Sequence, residues 1–251
     1  MTPDRFLATV NIGDVLTGTV AEHTRRGTTV LLDDCPGEPL GCVGPLDFTW
    51  GRWPGTCSPG DRITSEVIDV SPPRREIMLS WSATENPELW AFLKARGAGQ
   101  RLSGTVAAIE RFGVFVDLDE GPKHPVLPGV GFVTIPELSW RWFEDPSEVV
   151  SVGQHVTGEF LVFDTVHGEA RLSLRAVEPD PFLGFARATR VGQELRGRVT
   201  KPVPFGFFVD VGDGIEGLVK TDRTVQSGEE VAVVVAGIDT TSRRLTLRRC
   251  G

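Results

Sequence analysis

Apolar and polar positions alternate with period two along most of this chain, in short runs broken by turn residues. In its middle third Leu102, Gly104, Val106 and Ala108 alternate with mostly polar neighbours, as a half-buried strand requires. Val114, Val116 and Leu118 then share one face, and residues 131–135, 156–164 and 170–174 read as three further strands. Five short strands of this kind suit a small closed barrel, because closure removes exposed edges. The same set recurs downstream at 194–200, 207–211, 217–220, 230–238 and 244–248, and upstream at 15–22, 28–33, 41–45, 62–70 and 76–80. Three barrels in series account for the whole length.

A repeated phrase marks the start of each barrel. Residues 13–20 read GDVLTGTV, residues 99–106 read GQRLSGTV and residues 192–199 read GQELRGRV. A potential helix cap and a proline precede each one, at Thr2-Pro3, Asn86-Pro87 and Asp180-Pro181. Apolar stripes follow the second and third, with Leu89, Trp90, Phe92 and Leu93 in one and Phe182, Leu183 and Phe185 in the other. The expected fold class is therefore all-β: three tandem five-stranded barrels joined by short helical linkers, with boundaries at 1–82, 83–177 and 178–251.

The second strand of each barrel carries the candidate chemistry. If Val114, Val116 and Leu118 point inward, Phe115 points outward beside Asp117, with Phe112 just before Gly113. The third repeat places Phe205 and Phe208 in the same way, around Phe207, Val209 and Val211. Outward aromatics either pack under a neighbouring loop or form a platform on which unpaired bases stack, each base worth about 1–3 kcal/mol. Recurrence in register favours the platform. The first repeat keeps the inward positions but has Arg26 and Thr29 where the others have phenylalanine. It is expected to fold without a stacking surface and to dock protein or cap the array.

These residues resemble the S1 RNA-binding domain family. The resemblance rests on Phe112-Gly-Val-Phe-Val-Asp117, Glu137-Leu-Ser-Trp140 and Glu144-Asp-Pro-Ser-Glu-Val149 in the second repeat, and on Phe205-Gly-Phe-Phe-Val-Asp210 with Gly214-Ile-Glu-Gly-Leu-Val219 in the third. It implies OB-type barrels that bind single-stranded RNA through the two aromatics, a histidine ending the third strand, and an aspartate and an arginine around the last turn. The aspartate matches Asp164 and Asp239. The arginine matches Arg244, while Glu169 stands in its place in the second repeat. Thr134, Lys220 and Gly44 replace the histidine.

Charge sharpens the assignment. The net charge is −8, which excludes a uniformly basic nucleic-acid coat. Divided at the expected boundaries it becomes −4, −5 and +1. The last repeat also carries Arg198, Lys201, Lys220 and Arg244, so the third barrel is expected to be the main RNA binder, since phosphate contacts supply most sequence-independent affinity. The expected main groove holds Phe205, Phe208, Lys220, Asp239 and Arg244, with Arg198 and Lys201 nearby. A weaker groove holds Phe112, Phe115 and Asp164.

Competing signals fall away. Residues 212–217, GDGIEG, match a dinucleotide-binding spacing but lie between two strands with no helix to follow, so they read as a hairpin turn. The four cysteines and four histidines form no metal spacing, and no nucleophile motif or acid/base pair stands out. No enzyme activity, cofactor or metal is expected. Residues 1–10 lack the apolar run of an export signal, and the longest apolar stretch, 231–238, is too short for a bilayer. The expectation is a cytoplasmic, non-enzymatic protein whose partner is single-stranded RNA, with no membrane contact. The alternative is an adaptor docked to the ribosome or RNA polymerase through protein contacts, the first repeat serving as the dock. Trp140, Arg141 and Trp142, echoed by Trp50, Arg52 and Trp53, are expected to pack a short helix across the barrel, with a protein interface as the other reading.

Overall fold

A computed structural model describes residues 2–50, 57–221 and 225–250, and Arg52 and Trp53 lie outside the described residues. The first barrel comprises β1 (Val15–Thr24), β2 (Gly27–Leu32), β3 (Gly41–Val43), β4 (Arg62–Ser71) and β5 (Glu76–Ser80). The second comprises β6 (Arg101–Glu110), β7 (Gly113–Leu118), β8 (Gly131–Thr134), β9 (His155–Asp164) and β10 (Glu169–Ser173). The third comprises β11 (Glu194–Val203), β12 (Gly206–Asp210), β13 (Glu216–Lys220), β14 (Glu230–Asp239) and β15 (Arg244–Arg249). All three sheets close in the same order, first strand to second to third to fifth to fourth. The third and fifth strands run parallel and their other neighbours antiparallel.

The inward set is the one the alternation predicts, except that Val211 lies past the end of β12 and is only half-buried. Thr28, Val30 and Leu32 are buried in the first barrel, Val114, Val116 and Leu118 in the second, and Phe207 and Val209 in the third. Each first strand serves two neighbours and must bend between them: β11 pairs with β14 over Glu194–Arg198 and with β12 over Arg198–Val203. A bulge between Val199 and Lys201 supplies that bend, with counterparts at Val20/Glu22 and Val106/Ala108. The extra residue breaks strict alternation, so the pattern ends the strand at 200 while the ladder runs on to Val203.

The glycine after each phenylalanine has a steric cause. A Cβ on Gly206 would stand 2.0 Å from the Val219 carbonyl oxygen, and one on Gly113 would stand 2.5 Å from that of Val133. The second and third strands approach too closely there for any side chain. Short helices precede the barrels at Pro3–Leu7, Pro87–Lys94 and Pro181–Ala188. Of the three caps expected, only Asp180 acts as one, accepting the Phe182 amide at 2.8 Å. Thr2 and Asn86 make no side-chain cap bond. Asn86 also closes the preceding turn Ser82–Glu85, and its backbone is set by that role.

The chain divides into two compact units, residues 1–133 with 152–172 and residues 134–151 with 173–251. Inside the first, Trp50 is buried against Trp90 and His124, with ring centroids 6.2 and 5.6 Å apart, and its Nε1 donates to the Thr165 carbonyl at 3.0 Å. Gly168, at φ +70°, leaves room for that indole, since a Cβ there would lie 2.5 Å from the ring. His124 Nδ1 accepts the Leu127 amide at 2.8 Å, so Nε2 carries the proton and donates to the His167 carbonyl at 2.8 Å. Burial pushes this histidine's pKa down, keeping it neutral. Trp50 therefore packs against the β9–β10 turn rather than across a helix of its own barrel.

Inside the second unit, Trp140 lies under two guanidinium groups, Arg175 at 4.6 Å and Arg243 at 4.3 Å from its centroid. Arg243 also pairs with Asp180. The Asp-Pro-Ser-Glu motif that follows is a capping box: Asp145 accepts the Ser147 amide at 2.9 Å, and Glu148 accepts the Asp145 amide at 2.8 Å.

Candidate nucleic-acid interface

The outward residues of each barrel line up in cross-strand rows, and the row through the second strand decides what each barrel can bind. In the third barrel the pairing runs Lys201 to Phe208 to Leu218 to Thr246. Lys201 sits beside the phenylalanine because the bulge resets the register there. One row away, Gly206 pairs with Lys220, which places Lys220 beside the exposed Phe205. Continuing the parallel register from Leu218–Thr246 brings Arg248 level with Lys220. The aromatic pair is thus flanked by three cations.

Arg244 and Asp239 belong elsewhere, while Arg198 stands one outward step along β12 from Phe208. Arg198 pairs across the ladder with Asp210 and reaches Glu230 at 3.7 Å. Arg244 pairs with Asp239 at the far end of β15. Two strand spacings and one outward step separate it from Phe208, about 12 Å. Asp239 accepts the Thr241 and Ser242 amides at 2.9 and 3.0 Å and the Ser242 hydroxyl at 2.6 Å. The Ser242 bonds hold its pKa below the usual carboxylate range. This aspartate caps a turn. The five residues expected in one groove thus fall into an aromatic–cationic patch at one end and a mixed-charge row at the other.

The second barrel departs further from expectation. Phe115 is 6% exposed and is no open platform. Phe112 and Phe132 cover it, with centroids 6.3 and 4.9 Å away, and Phe112 lies 5.8 Å from Phe132. Phe132 sits on the outward side of β8, where Leu218 sits in β13, so one more large ring closes over Phe115. Phe112, 62% exposed, is the accessible face of this cluster. The cation missing at Glu169 returns two residues later. Arg171 pairs with Phe132 across the ladder, its guanidinium 4.6 Å over that ring.

Arg171 also organises the last turn. Its Nε donates to Asp164 at 3.0 Å, a second nitrogen bonds the same oxygen, and another lies 3.2 Å from Glu169. Asp164 caps its turn as Asp239 does, accepting the Val166 and His167 amides. Burial would raise its pKa, but the bonds from Arg171 and His167 outweigh that and hold it low. Glu169 is buried more deeply and is pushed up despite Arg171. Asp164, His167 and Glu169 place ligand atoms within 4.8 Å of one another, but a guanidinium already bridges the two carboxylates.

In the first barrel the equivalent row reads Glu22, Thr29, Cys42, Met78, Asp69. It has no aromatic, and an acid stands at each end. Sequence reading had found Thr29 but not the two acids, because their partners are fixed by strand pairing. Phe132 and Arg171 escaped for the same reason, and Arg248 was legible only as one of the basic residues of the third repeat; the visible signal was outward placement on a strand with buried neighbours on either side.

Two segments of the chain, residues 96–175 and 189–249, match the S1 RNA binding domain model. The chain belongs to the S1 RNA binding domain family. These barrels are accordingly S1-type OB folds, and S1 domains and their ribosomal relatives are non-enzymatic. Small ribosomal subunit protein bS1 of Mycolicibacterium smegmatis is 39% identical over 204 residues, 75% of this chain and 41% of that protein. The bS1 protein of Neisseria meningitidis serogroup B is 31% identical over 256 residues, 94% of this chain and 43% of that protein. The chain thus spans less than half the length of these S1 relatives. Among the described residues no helix is long and apolar enough to cross a membrane.

Proposed function

We propose that this S1 protein binds single-stranded RNA without catalysis, in the cytoplasm and in association with the small ribosomal subunit, and that its third barrel supplies most of the affinity. The observation that carries this reading is the patch of Phe205 and Phe208 flanked by Lys201, Lys220 and Arg248. Aromatic rings offer faces to successive bases, and the cations track the phosphates. The second barrel adds Phe112 and Arg171, with Phe115 and Phe132 as the packed base of that surface. Each repeat acts as a domain, bounded near residues 82 and 177.

Anisotropy of a labelled single-stranded RNA tests the assignment on the full chain. Phe205→Ala with Phe208→Ala should weaken binding by at least tenfold, since each stacked base contributes about 1–3 kcal/mol. Unchanged affinity would remove the third barrel from the reading. A second reading keeps the first barrel for protein contact, because its acidic row suits neither bases nor phosphates. Capture of ribosomal proteins by the isolated chain that survives nuclease treatment would favour that role.

A further inference from the structure

Trp142, expected to pack a short helix across its barrel, does not do so. It is 81% exposed, the most exposed large apolar side chain among the described residues. It is nonetheless not on a loose tail. Two positions earlier, Trp140 is clamped by Arg175 and Arg243, and three positions later the capping box begins at Asp145. Arg141 lies against the β12–β13 turn, where a Cβ on Gly214 would stand 3.6 Å from its Cγ. The backbone on both sides of Trp142 is thus tied down while its ring is left in solvent.

What the ring faces is a groove. Arg141 and Trp142 line a cavity of about 840 Å³ together with Phe208, Lys201 and Arg198. Arg141, Arg198 and Lys201 meet two carboxylates there, Asp210 and Glu216, so cations prevail. The same two residues line a second cavity of about 520 Å³ that leads away toward Trp140 and Glu148. An exposed indole costs solvation free energy unless something covers it. A groove lined by two aromatic rings and by more cations than carboxylates fits a strand of unpaired bases with its phosphates.

We propose that the connector after β8 completes the RNA site of the third barrel: Trp142 is a second stacking residue, Arg141 a phosphate contact, and the bound strand runs from Phe208 across Trp142. This rests on the third-barrel reading above and extends it, making the site longer than one barrel. About four nucleotides is the short end of what one OB fold holds, and about twelve is long enough to pass from Phe208 across Trp142.

The test compares labelled oligouridylates of about four and about twelve nucleotides on the full chain. Trp142→Ala should lose roughly tenfold on the long oligomer and bind the short one as the unsubstituted chain does, while Trp142→Phe keeps most of the long-oligomer affinity. Its melting temperature should match the parent, since the side chain is exposed. Phe208→Ala should weaken both oligomers. If Phe208→Ala weakens binding and Trp142→Ala leaves the long oligomer unchanged, the extension is wrong and the single-barrel groove stands. If Trp142→Ala lowers both affinities equally and also the melting temperature, its role is structural and the proposal fails. If neither substitution matters, the third-barrel site itself falls.

Discussion

Replacing Arg171 with methionine separates the structural work of that guanidinium from its place beside the aromatic cluster. The substitution keeps an apolar stem over Phe132 but leaves Asp164 and Glu169 facing each other without a cation. The side chains of Arg171, Asp164 and Glu169 are 23, 18 and 5% exposed. Breaking a buried pair costs about 3–5 kcal/mol, and partial exposure here brings the expectation to about 2–3 kcal/mol. At 1.4 kcal/mol per factor of ten, amides of β9 and β10 should exchange about 30- to 150-fold faster in hydrogen-exchange mass spectrometry. The loss should also depend on pH. In the parent, Asp164 has a depressed pKa, so it contributes stability above its unfolded value of 3.8 that fades only as the pH falls through the folded value. Without Arg171 that depression is reduced to what His167 and the turn amides provide. Glu169 is already raised above 4.5 by burial and would rise further. Glu169 then penalises folding at neutral pH and is relieved on protonation, while Asp164 stabilises the fold less than in the parent. The deficit should therefore be largest at pH 7 and shrink as the pH falls toward the carboxylate range. A deficit of equal size at pH 7 and at about pH 4, or no deficit, would refute the claim that Arg171 compensates these two charges.

Two further outcomes follow from the rows and from Trp50. Lys201→Ala and Lys220→Ala should each reduce the slope of log affinity against log salt by about 0.7, as expected for one single-strand phosphate contact apiece. Arg198→Ala should change it less, because Glu230 at 3.7 Å already offsets part of its charge; a larger change than for Lys201 would contradict the placement of Lys201 beside Phe208. Trp50→Ala should destabilise the first unit by about 3–5 kcal/mol, through the cavity left beside Trp90 and His124 and the lost bond to Thr165. Unfolding by denaturant checks this, and a parent-like midpoint would mean that the indole is dispensable.

The three-barrel fold was legible in the chain because it depends on local rules: period-two alternation, turn residues and a phrase repeated three times. Glycine before the second strand, the inward triplets and the hairpin at 212–217 all followed from such rules. The exposure of Phe205 and Phe112 also followed, since each lies at a turn before its strand. Burial of Phe115 did not. It depends on Phe132, a residue from another strand whose nearness is set by pairing, and on Phe112 folding back over both. Nor did the row logic. Whether Lys201 or Arg198 stands beside Phe208 depends on one bulge that shifts the register after Val199. The substitution of Arg171 for the arginine expected at Glu169 is visible only once β8 and β10 lie side by side. Alternation along a strand assigns each side chain to a face, and it can do so from sequence because the backbone alone dictates it. Which faces meet, which charges cancel and which ring stays open are properties of cross-strand neighbours, and those were decided only when the barrels closed.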